Sequence, residues 1–268
     1  MANAERVQQE GIESERVFGR LRWFNAAMGG LHLLQGLAML ALSSSITFPL
    51  RTTFLNSSGP PGTSTSTVTR TVFDIRLGPL VAVFLLISAI AHFLLASPRI
   101  YPWYVKNLKR HINYVRWYEY AASSSVMIVV IAMLSGVFDL PTLVLLFSLN
   151  ATMIFFGLMM ELHNQTTEKT NWASFLMGCF AGGVPWVIII WYFIGAVLTS
   201  DNGNVPGFVY GIIASLFVFF NVFAVNMFLQ YKRVGPWRDY LFGERGYILL
   251  SLFAKSALAW QVFSGTLR

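Results

Sequence analysis

The chain has 268 residues, of which 55% are hydrophobic and only 12% charged, with a formal net charge of +7. Soluble domains carry about a quarter charged residues, so this composition excludes an ordinary water-soluble globular protein and points to a surface that faces lipid. The length fits one domain over 1–268, the single cysteine, Cys179, excludes an intrachain disulfide, and the positive excess reads as membrane-protein loop charge rather than nucleic-acid binding.

The chain opens with a charged stretch, MANAERVQQEGIESERVFGR, which lacks the apolar core and cleavage site of a signal peptide and reads as a soluble tail. A membrane span needs about 20 mostly apolar residues. The first qualifying stretch is about 20–46. A long connection, 47–74, follows it. Its Thr-, Phe- and Val-rich flanks surround a turn cluster at 56–62 containing Pro60 and Pro61, which predicts a β-hairpin outside the membrane. A disordered Ser/Thr loop is the alternative. The next spans are placed at about 76–97, 112–136, 140–162, 172–199, 205–230 and 240–266. The links at 136–139 and 201–204 are short enough to make consecutive helices antiparallel neighbours. Gly182, Gly183 and Pro185 interrupt the fifth span, either to ease helix packing or to leave a gap for a ligand.

Positive charges set the expected orientation. Arg6, Arg16, Arg20, Arg22, Arg99, Lys106, Lys109, Arg110, Lys169, Lys232, Arg233, Arg238 and Arg245 fall on one side, thirteen in all. Arg51, Arg70, Arg76 and Arg268 fall on the other. Lys/Arg excess marks the cytoplasmic face, so the N-terminus is expected inside and the C-terminus outside a cell membrane crossed seven times.

An ionisable group near the membrane centre is expensive and is a functional candidate by default. Lys255, in ILLSLFAKSALAWQVFSG, lies far from both ends of the last span. It is either half of a structural ion pair or a reactive amine. Burial favours the neutral, nucleophilic form, and a neutral amine condenses with an aldehyde to a Schiff base. A protonated Schiff base needs an anion. Glu119 is the carboxylate placed well inside a span; Asp74, Asp139, Glu161, Asp201 and Asp239 fall at span ends. Glu119 could instead pair with Arg116, three residues earlier on the same helix face. Ser251 precedes Lys255 by one turn on the same face.

His32 and His92 sit on apolar stretches. They are either hydrogen-bonded core residues or, with Gln35 one turn after His32 and Ser88 one turn before His92, the lining of a polar pocket beside Glu119 to which Asn113 is added. A metal held by the two histidines and Glu119 is a further alternative, and no metal is expected. His111 and His163 flank helices and read as solvated. Asn150 is polar in mid-span and is expected to face inward. Phe220 is the candidate pocket residue of the sixth span, Trp260 a pocket-end or packing residue, and Ser123 and Met127 continue the face of Glu119.

With Lys255 in SLFAKSALAWQ, Glu119 in RWYEYAASSSVMI, and His32 and His92 in place, the sequence resembles the heliorhodopsins over nearly its whole length, long first loop included. The resemblance implies an all-α membrane protein, a rhodopsin-like seven-helix bundle with a small β-hairpin after helix one. It implies an all-trans retinal on Lys255 with Glu119 as counterion and Ser251 as hydrogen-bonding neighbour; Ser123, Asn150, Phe220, Met127 and Trp260, read from their places in the spans, are the further residues expected about the chromophore. It also implies a polar cytoplasmic-side cavity with His32 and His92, and a homodimer using the long loop.

Three functions compete: a light sensor with an unidentified cytoplasmic signalling partner, a light-driven pump or light-gated channel, and a retinal-independent transporter or enzyme. A pump reloading its Schiff base needs a second internal carboxylate beyond Glu119. None occurs before Asp139. A channel needs a polar stripe through the membrane, yet the segment ALAWQVF beyond Lys255 offers only Gln261. No nucleophile–base pair, metal-ligand spacing or phosphate loop supports an enzyme. The sensor is the expected function, with regulation of a partner enzyme as a variant of it.

Overall fold

In a computed structural model, the described residues are 2–56, 66–199 and 205–267. Residues 57–62 of the predicted turn cluster, the 201–204 link and Arg268 lie outside them. Among the described residues there are eight α-helices, and seven are long and apolar enough to cross a membrane. They are α1 (Ala2–Leu42), α2 (Leu77–Ala96), α4 (Tyr114–Leu134), α5 (Leu140–His163), α6 (Ala173–Thr199), α7 (Gly207–Tyr231) and α8 (Tyr240–Val262), the last continued by a π-helical turn, Phe263–Leu267. The protein is a multi-pass membrane protein. Leu34, Leu145, Phe180, Val187, Trp191 and Leu198 are exposed large apolar side chains, as expected of helices whose outer faces meet lipid.

The predicted tail is helical. Helix α1 starts at Ala2 because the stretch after it is mostly Ala, Glu, Gln and Arg, all good helix formers. It ends at Leu42 rather than 46, where three serines, Ser43 to Ser45, follow. A short helix absent from the sequence reading, α3 (Tyr101–Leu108), starts with Pro102 in its first turn. Asn113 and Asp139 cap α4 and α5 by accepting from the backbone N–H of Arg116 and Thr142. Pro185 does not interrupt α6, which is continuous through it; neighbouring helices make an internal proline tolerable in a membrane. Gly182 gives Met153 of α5 its space, and Gly157 gives the Trp117 ring of α4 its own.

The predicted hairpin forms. Strands β1 (Thr47–Asn56) and β2 (Ser66–Arg76) pair antiparallel, from Thr47 opposite Arg76 to Asn56 opposite Ser66, with a register shift at Leu50/Arg51. Its base is docked. Arg51 N–H donates to the Phe138 carbonyl at 2.8 Å, Phe48 stacks on Phe138, and Leu50 enters the core. The α4–α5 turn that receives it bends at Gly136, whose φ of +98° disfavours any side chain.

The core is asymmetric along the bundle axis. Towards the hairpin it is a dry cluster including Phe84, Leu85, Ile128, Ile131, Leu216, Leu258 and Val262. Towards the N-terminus the interior becomes polar. Helices α6 and α7 meet through large rings, with Trp186 edge-on to Phe217 and Phe220, and Phe193 edge-on to Tyr210.

Candidate functional site

Lys255 lies in the middle of α8 and is 3% exposed. Its Nζ is 3.1 Å from Glu119 Oε1 on α4 and donates to Ser251 Oγ at 2.6 Å. Helical geometry places Ser251 there, since residues four apart stack on one face. The same oxygen, Glu119 Oε1, is 2.6 Å from Ser88 Oγ of α2, whose hydroxyl is also within reach of the Phe84 carbonyl. The Tyr120 ring lies under the amine, 5.0 Å from Nζ, held by its hydroxyl donating to the Tyr247 carbonyl at 2.7 Å. A buried lysine and a buried carboxylate in contact, each with a hydroxyl partner, form a satisfied ion pair of the kind that low dielectric otherwise penalises.

The wall around Nζ is otherwise apolar. A cavity of about 50 Å³ is lined by Lys255, Ser251, Tyr120, Ser124, Met127, Met153, Ile154, Phe220, Phe223 and Ala254. Tyr120, Met153, Ile154, Phe220 and Phe223 also line a second cavity of about 100 Å³, which runs on to Phe175, Gly178 and Cys179 of α6. The two cavities lie on either side of these side chains, an interrupted apolar channel starting at a buried primary amine. A long hydrocarbon aldehyde fits that donor set: an amine to bond it, aromatic and Met side chains along its length, and an anion at the amine.

Met127 and Phe220 line the cavity beside Lys255. Asn150 is buried and donates from Nδ2 to Ser124 and Ser125 Oγ at 2.8 and 3.0 Å, so it fixes the wall from behind. Ser124, missed in the sequence, faces the cavity in place of Ser123, which is buried with a hydroxyl lacking a partner. Trp260 is not at the pocket. It is 41% exposed, and its Nε1 donates to Gln35 Oε1 at 3.1 Å, so both side chains leave the interior together.

On the N-terminal side of Glu119 lies a cavity of about 20 Å³ lined by Asn25, His92, Tyr104, Asn113, Arg116, Glu119 and Tyr120, among others. His92 Nδ1 bonds Asn25 Oδ1 at 2.8 Å, and His32 stacks on His92 with centroids 5.6 Å apart. Both ring nitrogens of buried His32 lack a partner. Burial pushes the Tyr104 phenol, on α3 outside the spans, up to about 12, so it stays neutral. Among the described residues no three His, Cys, Asp or Glu side chains group as a metal site.

Arg116 does not pair with Glu119. Its guanidinium forms ion pairs with Glu161 of α5 and Glu244 of α8, all three buried. Glu161 also accepts from Trp117 Nε1 at 2.6 Å and the Asn113 backbone at 3.0 Å, and Glu244 from Asn113 Nδ2 at 2.8 Å. The guanidinium lies over the Tyr247 ring at 4.1 Å. Asn113 belongs to this cluster as much as to the cavity. Replacing Arg116 by Met is expected to cost about 3–5 kcal/mol, because two buried carboxylates lose their cation. Thermal unfolding in detergent measures it, and adding Glu244→Gln should recover part of the loss.

The family model for heliorhodopsin matches residues 21–267. A search of the curated proteins gave no match. The chain belongs to the heliorhodopsin family, a family of light-sensing membrane proteins with a retinal chromophore.

Proposed function

We propose that this heliorhodopsin is a photosensory receptor, with all-trans retinal bound through Lys255 Nζ in the dark and Glu119 as the counterion. Retinal supplies visible absorption and a light-driven change of shape. The observation that carries the reading is the contact of Lys255 Nζ with Glu119 at 3.1 Å at the head of an apolar channel. Glu119 holds a positive charge at Nζ, and Ser251 and Ser88 orient the two groups. Met127, Met153, Phe220 and Phe223 exclude water from the channel. Tyr120 separates it from the cavity of Asn25 and His92, lining both.

The axial asymmetry supports signalling over transport. On the hairpin side of Lys255 the core is apolar, and Gln261 is bonded to Ser215 of α7. Polar side chains gather instead towards the N-terminus, which the charge distribution makes cytoplasmic. A change at Nζ is therefore read towards a cytoplasmic partner. The protein acts as a homodimer, supported by a hairpin whose Phe54, Leu55, Val72 and Phe73 are exposed.

Expression with retinal should give a visible band, and illumination should move no protons or ions across sealed vesicles. A light-dependent ion flux would refute the sensor reading. Protease added to intact cells should spare an N-terminal tag and remove a C-terminal one. The reverse would refute the orientation.

A further inference from the structure

We propose that the groove between α1 and α8, at the N-terminal end of the bundle, binds one anionic phospholipid, with its phosphate held by Arg20 and Arg245. The groove has a volume of about 170 Å³ and is lined by Val17, Arg20, Leu21, Phe24, Leu241 and Arg245. On α1 these residues follow the spacing of a single helix face, and on α8 Leu241 and Arg245 are one turn apart. Each helix thus contributes one arginine and apolar side chains to the same concavity.

Depth identifies the ligand. On α1 the lining residues straddle the start of the apolar stretch at about residue 20, and on α8 they lie in the first two turns of Tyr240–Leu267. Trp23, beside Phe24 and 78% exposed, is the type of residue that sits where headgroups meet hydrocarbon. A phospholipid places its phosphate at this level and its acyl chains below. A small hydrophilic anion would gain nothing from Val17, Leu21, Phe24 and Leu241, and a lipid of zero net charge brings its own cation to its phosphate. Paired arginines beside apolar walls between membrane helices suit a net anionic headgroup.

Three other cations at this end have different partners. Arg22 donates from Nε to the Ala96 carbonyl at 2.7 Å and lies over Tyr101, Lys109 lies over Phe18, and Arg116 is buried with its two glutamates. Arg245 has Asp239 3.7 Å from Nη2, both about half exposed, a contact of small worth in water. Its Nε donates to the Leu241 carbonyl at 3.2 Å, which steadies the side chain and leaves the terminal nitrogens for a second acceptor. The lipid would join α1, which carries His32, to α8, which carries Lys255.

The test is native mass spectrometry of the full chain released from bilayers of equal phosphatidylglycerol and phosphatidylcholine with identical chains. One phosphatidylglycerol should be retained in preference. Arg20→Gln and Arg245→Gln should each lower the retained ratio on the order of fivefold, and the single variants carry the comparison if the double does not fold, as judged by circular dichroism. Arg99→Gln with Lys169→Gln removes the same charge outside the groove and should leave the ratio unchanged. Equal retention of both lipids, equal loss in that control, or displacement of the lipid by inorganic phosphate would each overturn the proposal.

Discussion

Lys255→Ala protein is expected to stay colourless when all-trans retinal is added, where the unmodified protein gives a visible band that hydroxylamine bleaches. The expectation rests on uniqueness as well as position. The other lysines of the chain, Lys106, Lys109, Lys169 and Lys232, lie in the stretches between spans or at their ends, and none lines the channel of Met127, Phe220 and Phe223. An alanine also leaves Glu119 buried without its cation, which costs several kcal/mol, so loss of colour could reflect loss of fold. The preformed imine of retinal with a short alkylamine separates the two. It supplies the missing cation and needs no covalent bond, so a folded variant should regain a visible band. A hydroxylamine-sensitive band in the alanine variant with retinal alone would remove Lys255 from the site.

The spans were legible because a run of apolar residues is a local property, and so was Lys255, because a charge in such a run stands out. Glu119 stood out for the same reason. What the sequence hid depends on how helices converge. Glu161 and Glu244 sit near span ends, where side chains ordinarily reach water, yet α4, α5 and α8 close over them around Arg116. The usable signal was an arginine one turn inside a span with two carboxylates at the same depth on the same side. Trp260 was misplaced for a reason visible in advance. It lies five residues past Lys255, about 140° around the helix, and so points away from the face that carries the amine. Ser124 replaced Ser123 at the cavity because about 100° of rotation separates neighbours and the α4 face was fixed only to that precision. The helical start at Ala2 is masked by charge, because the Glu, Gln and Arg residues that mark a solvated tail are also good helix formers.

Glu119→Gln is expected to change the pigment more than any other single substitution that keeps side-chain size. The geometry leaves few substitutes. Arg116 keeps Glu161 and Glu244 for itself, and Asp139 is occupied capping α5 on the hairpin side. What remains is the Ser251 hydroxyl and the Tyr120 ring at Nζ and the Ser88 hydroxyl on the carboxylate, none of which bears negative charge. A positive charge at Nζ would then be buried uncompensated, and a buried unpaired ion is relieved by giving up its proton or by recruiting a counter-ion. The variant should therefore lose its proton at Nζ near neutral pH and turn yellow, or absorb at longer wavelength with an anion taken from solution. Adding and withdrawing chloride distinguishes these outcomes, because only the second depends on it. Ser88→Ala removes a hydrogen bond but leaves the charge, so its spectral shift should be much smaller than that of Glu119→Gln. If Glu119→Gln left both the visible band and its pH dependence unchanged, the 3.1 Å contact would be structural only, and the anion would have to be held elsewhere, with the unpartnered ring nitrogens of His32 as candidates to hold it.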